Sequence, residues 1–188
     1  MFNRQNVIQV TSLQLIEFYF CLYNNAIQIN LMVQHEIETQ WMGKMQFNAL
    51  IDGHTVIMDA SEKSGGEDAG PIPKPFILVA LSGCSGMDIV ALLRKSNHSI
   101  TDFSMKVTGD LSRQPPIQYI SIHMLYTFKG NEESKEAVLK AVADSQDKYC
   151  GVSSLLKKAL PVTWEINFNG IEIFNNRVVE TSALLYAN

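Results

Sequence analysis

The chain has cysteines at positions 21, 84 and 150, and two of them stand in segments that give a thiol work to do. Cys84 lies within Phe76-Ile-Leu-Val-Ala-Leu-Ser-Gly-Cys84-Ser-Gly-Met-Asp88, an apolar run with helical character. Cys150 ends Ser145-Gln-Asp-Lys-Tyr-Cys150, where one helix gives way to the next. Two thiols brought together by a fold form either a redox couple, closing reversibly into a disulfide, or a pair of inert core residues. They are 66 residues apart in sequence. Only tertiary structure can therefore bring their Cα atoms to the roughly 4–7 Å that a disulfide spans. A helix beginning at Cys150 would direct free backbone N–H groups at its sulfur and lower the thiol pKa.

Other chemistry-bearing residues fit less well. Asp88 falls one helical turn after Cys84, on the same face, where an unpaired carboxylate raises a thiol pKa. His123 with the two cysteines would complete a Cys2His zinc set. No C-x-x-C or H-x-x-x-H spacing accompanies it, so neither a metal nor a cofactor is expected. The Gly65-Gly66 loop lacks the strand-before, helix-after context of a phosphate cradle. His35, His54 and His98 read as ordinary loop or strand-end residues.

Composition narrows the class. With 46% apolar and 18% charged residues the chain is globular rather than disordered. A net charge of −4 without a Lys/Arg cluster excludes a nucleic-acid surface as the expected partner face. Three cysteines do not make a disulfide framework, and a reducing cytoplasm is the expected location. Leu13–Leu22 is too short and polar to span a membrane. Residues 1–31 are accordingly expected to be an N-terminal appendage, with a single domain over residues 32–188.

The elements that must position the cysteines follow from patterning. Residues 33–60 read as a three-stranded antiparallel meander whose second turn is Asp52-Gly53, a two-residue hairpin signal. Ser61–Pro73 is rich in Gly, Pro and charge: a surface loop and candidate lid. Phe76–Lys95 is apolar nearly all round and predicts a buried central helix, with Arg94 and Lys95 complementing its C-terminal dipole. Gly83 and Gly86 within it imply close approach by another backbone. Ile100–Gly109 and Ile117–Phe128 alternate as a strand pair. Glu132–Lys148 predicts a second helix and Val152–Leu160 a third, shorter one. Strands around Asn169-Gly170 complete an α+β pattern with helices segregated against a sheet.

The run Leu78-Val-Ala-Leu-Ser-Gly-Cys84-Ser-Gly-Met-Asp88 with Leu92-Leu93-Arg94-Lys95 resembles the first cysteine helix of the OsmC/Ohr family. Ser145-x-x-Lys148-Tyr149-Cys150-x-Val152 resembles its second cysteine motif, Met58-Asp59-Ala60 its approach to the first helix, and the YhfA-like branch is nearest in character. The resemblance implies an OsmC-like fold: an intertwined homodimer whose antiparallel sheets enclose two long central helices, with thiol sites at the subunit interface. It implies a thiol-dependent hydroperoxide reductase in oxidative stress defence, with Cys84 peroxidatic and Cys150 resolving. The substrate would be a small-molecule hydroperoxide, reduction would come from a dithiol, and neither membrane nor nucleic acid would take part. Hydroperoxide reductases of the family carry a glutamate early in the first cysteine helix and an arginine from the early strands. Here those positions hold Lys74 and Pro75, and Gln46. Lys44, Lys74 and Arg94 are the candidate substitute cations. Without such a cation the same fold implies a non-catalytic alternative: a dimer that binds small apolar ligands or responds to redox state.

Overall fold

The structure, a computed structural model, describes residues 34–177. The expected appendage and Cys21 lie outside the described residues. Strands β1 (Glu38–Gly43), β2 (Gln46–Ile51) and β3 (His54–Met58) form the expected meander in the order β1-β2-β3. Asp52 and Gly53 turn it with φ of 50° and 81°, the left-handed pair that an Asp-Gly hairpin requires. The loop after β3 is no free lid. The Asp59 carboxylate accepts the backbone N–H groups of Ala60, Glu67 and Ala69, and the Asp59 N–H donates to the Pro71 carbonyl. Those N–H groups, Glu67 first, hold its pKa below the ordinary carboxylate value.

Helix α1 spans Phe76–Lys95, the range that its apolar run predicts. Its length and hydropathy match those of a membrane span, yet one face belongs to a polypeptide core. Leu81, Ser85, Ile89 and Leu93, four residues apart, are buried. The opposite face is open: Val79 is 60% and Met87 72% exposed. Gly86 admits a side chain rather than a backbone, since a Cβ there would meet Met105 Cε at 2.6 Å. At Gly83 a Cβ would meet nothing within 4 Å.

Strands β4 (Ile100–Leu111), β5 (Tyr119–Gly130), β6 (Val162–Phe168) and β7 (Ile171–Asn175) form the second sheet, in that order. It is antiparallel except between β5 and β6, which run parallel. The helical crossover from Asn131 to Pro161 returns the chain to the same end of the sheet, as a parallel pair demands. Ile122, Met124, Tyr126 and Phe128 of β5 alternate into the core, with Trp164, Ile166 and Phe168 of β6 beside them.

The crossover differs from the continuous helix expected over Glu132–Lys148. A 3-10 turn (Glu132–Ser134) leads into α2 (Lys135–Asp144), and a single π turn (Ser145–Tyr149) follows. Cys150 is extended, and α3 runs over Gly151–Leu156, ending before the expected Leu160. The π turn closes with the Cys150 N–H donating to the Ser145 carbonyl at 2.8 Å. The extra residue re-aims the chain just before Cys150, a change of phase that π turns bring to functional sites.

Candidate active site

The fold brings the two cysteines together. The Sγ atoms of Cys84 and Cys150 and one carboxylate oxygen of Asp88 all lie within 4.8 Å of one another. Both cysteines are free. Cys84 is partly exposed on α1, whereas Cys150 is 2% exposed beneath the start of α3. A reagent arriving from solvent therefore reaches Cys84 before Cys150.

The Cys150 sulfur accepts the Ser153 N–H at 3.3 Å, the helix-start contact that sequence reasoning expected. Its effect is outweighed. Burial, then the neighbouring Cys84 thiol, push the Cys150 pKa up to about 11, and Asp88 acts in the same direction. The N–H donor was legible in sequence; the desolvation opposing it comes from the packing. Cys150 therefore stays protonated at neutral pH.

Beside the thiols runs a polar network that sequence reasoning did not identify. Gln146, in the π turn, donates from Nε2 to the Tyr126 hydroxyl at 2.6 Å and to Ser85 Oγ at 3.1 Å. Ser85 Oγ lies 2.7 Å from the Tyr126 hydroxyl and 3.1 Å from Ser145 Oγ. Ser153 Oγ donates to Gln146 Oε1 at 2.7 Å, and Ser145 Oγ donates to Asp88 Oδ2 at 3.4 Å. Apart from Asp88, every member is buried to 2% exposure or less. Burial holds the Tyr126 phenol well above its ordinary pKa, so it stays a neutral hydroxyl. Each cysteine thus has a network member close in sequence: Ser85 follows Cys84, and Ser145 and Ser153 bracket Cys150. A buried network satisfied this fully fixes one arrangement of its backbone supports. Serines adjacent to Cys84 and within five residues of Cys150 were its faint sequence signal.

The other candidates lie elsewhere. His123 is on β5 in opposite phase to Tyr126, hence on the other face of the sheet. Its Nδ1 is 2.8 Å from Thr163 Oγ1, and it is no third ligand to the cysteines. Burial, then Arg177, lower its pKa. Lys44 pairs with Glu67, and the Lys74 ammonium donates to the Ile117 carbonyl at 2.7 Å. Gln46 Nε2 donates to Asn48 Oδ1. Arg94 lines a groove of about 530 Å³ between α1 and β4, together with Gly86, Met87, Phe103 and Met105; Cys84 is not in its lining. Among the described residues no cation is hydrogen-bonded to either sulfur.

The family model for OsmC-like protein matches residues 65–165, which contain both cysteines and the whole network. The chain belongs to the OsmC-like family. It is 30% identical over 129 residues to protein YhfA of Escherichia coli K12, covering 68% of this chain and 93% of that protein. A hypothetical protein from Aquifex aeolicus has the same fold, with a TM-score of 0.61 and 26% identity over 73% of this chain and 98% of its own. An organic hydroperoxide resistance protein OsmC from Legionella pneumophila shares the fold with a TM-score of 0.54 at 16% identity. That match covers 72% of this chain and 98% of the Legionella protein. As an OsmC-like chain the molecule is α+β, and its two thiols stand as neighbours.

Proposed function

We propose that this OsmC-like chain is a two-cysteine hydroperoxide reductase that works as a homodimer. The observation carrying the proposal is the approach of the Cys84 and Cys150 sulfurs to within 4.8 Å, unbonded, with one partly exposed and the other buried. The name of the Legionella protein, organic hydroperoxide resistance protein, supports the same chemistry. The Cys84 thiol attacks the terminal oxygen of ROOH, the O–O bond breaks, and Cys84 sulfenic acid and ROH result. The Cys150 thiol then attacks the sulfenic sulfur, forming the Cys84–Cys150 disulfide and releasing water. A dithiol reductant takes over the disulfide by exchange and restores both thiols. A second copy of the chain would cover the open face of α1 around Val79 and Met87.

The test is peroxide consumption with a dithiol reductant. Wild type turns over, Cys84→Ser does not react, and Cys150→Ser reacts once and stalls at the sulfenic acid. Equal rates for wild type and Cys84→Ser would remove the reading. Because the thiolate is the attacking form, the Cys150 pKa near 11 adds a pH signature. Disulfide closure after the first step should accelerate about tenfold per pH unit between neutrality and pH 9. Stopped-flow thiol counting reads that rate.

A second reading draws on the charge at the site. The Asp88 carboxylate, not a cation, adjoins the sulfurs, and a negative neighbour opposes thiolate formation. In that reading the pair is a slow redox-responsive switch. One equivalent of peroxide would still form the disulfide, but excess reductant would not sustain turnover.

A further inference from the structure

Cys84, Asp88 and Cys150 have a property that the peroxide chemistry leaves unused. Two sulfurs and a carboxylate oxygen converge within 4.8 Å. Two of these ligands sit four residues apart on α1, and the third, Cys150, enters from the junction between the π turn and α3. We propose that in its reduced state this triad binds a thiophilic divalent cation, Zn²⁺ above all, as a Cys2Asp site.

The geometry suits the ion. Bonds of about 2.3 Å to sulfur and about 2.0 Å to oxygen at tetrahedral angles put ligand atoms roughly 3.5–3.8 Å apart. Closing from 4.8 Å or less asks for at most about an ångström of movement, shared among rotatable side chains. Cys84 and Asp88 share a helix face as i and i+4, the offset at which helical residues are neighbours. The ligand set also suits it: two thiolates and a carboxylate carry three negative charges, and a divalent ion offsets two of them. The ion thereby gives Asp88 a role that a thiol-activating site does not.

Outer contacts of the kind that orient metal ligands are already in place. Ser145 Oγ donates to Asp88 Oδ2 at 3.4 Å, and the Ser153 N–H donates to Cys150 Sγ at 3.3 Å. Three protein ligands leave the fourth tetrahedral position to water or an exogenous ligand, as in sites that exchange their metal. His123, the third ligand that the sequence offered, is replaced by Asp88. Metal binding and disulfide formation consume the same thiols, so each excludes the other. Loading with Zn²⁺ would mask the redox pair, and oxidation would release the ion.

The experiment uses the full chain reduced with a phosphine, stripped with chelator, and titrated with Co²⁺ and then Zn²⁺. One Co²⁺ per chain should give intense thiolate-to-cobalt charge-transfer bands with tetrahedral d–d absorption, bleached stoichiometrically by Zn²⁺. Cys84→Ser and Cys150→Ser should each abolish the charge-transfer pattern of a two-thiolate site. Asp88→Asn should keep both thiolates and weaken binding by about 10- to 100-fold. Its near-isosteric side chain guards against misfolding, which far-UV circular dichroism checks. Absence of the bands in folded wild type, or equal affinity in Asp88→Asn, overturns the proposal. None of these readouts depends on peroxide turnover, so an inactive enzyme that binds Co²⁺ and an active one that does not are separate outcomes.

Discussion

The two faces of α1 share a helix and a composition but live in different surroundings. On the inner face Leu81, Ser85, Ile89 and Leu93 are 0–2% exposed, and a serine among three aliphatic residues is fully hydrogen-bonded. On the outer face Val79 and Met87 meet solvent, and nothing lies within 4 Å of a Cβ built at Gly83. Apolar residues on both faces predict a buried central helix, yet one chain buries only a single stripe of it. The inner face is built to hold a site in place. The outer face is apolar and open, and in our proposal a second copy covers it.

Substitutions on the two faces should separate these roles. The largest effect is expected at Ile89→Ala, which empties fully buried volume; it should cost about 2–5 kcal/mol, read by chemical denaturation. Tyr126→Phe should cost less, about 1–3 kcal/mol, because it leaves the Gln146 amide short of a partner in the core. It should also loosen the π turn, seen as faster hydrogen exchange at the Cys150 amide. Met87→Ala should be the mildest, within about 0.5 kcal/mol for unfolding of a single chain, while weakening self-association in sedimentation. If Met87→Ala matched Ile89→Ala in a concentration-independent way, the contrast between the faces would fail.

How much of this was legible in sequence varies with the physics involved. The bounds of α1 and the Asp52-Gly53 and Asn169-Gly170 turns were readable because local chemistry dictates them. Positive φ at both residues of each turn restricts the choice to such pairs. The cysteines were readable as a pair through their motifs. The parallel β5–β6 pairing was not, since strand direction depends on where the crossover returns. Nor was the π turn, whose extra residue leaves no mark in the apolar period of Lys135–Asp144. The rise in the Cys150 pKa ran against the local signal, because burial is a property of the whole fold. The network of Ser85, Tyr126, Ser145, Gln146 and Ser153 was hidden for the same reason. Its members lie up to 68 residues apart, and although Ser85 and Ser145 stand within the cysteine motifs, nothing in those motifs joins them to Tyr126.

The central claim is that Cys84 and Cys150 act as one centre. One equivalent of an organic hydroperoxide, added to reduced, metal-free protein and followed by peptide mapping, tests it most directly. The account predicts a single intramolecular disulfide linking the peptides that contain Cys84 and Cys150, with both thiols lost together. Recovery of free Cys150 alongside dimedone-trapped sulfenic acid at Cys84, or of both thiols intact, would contradict it.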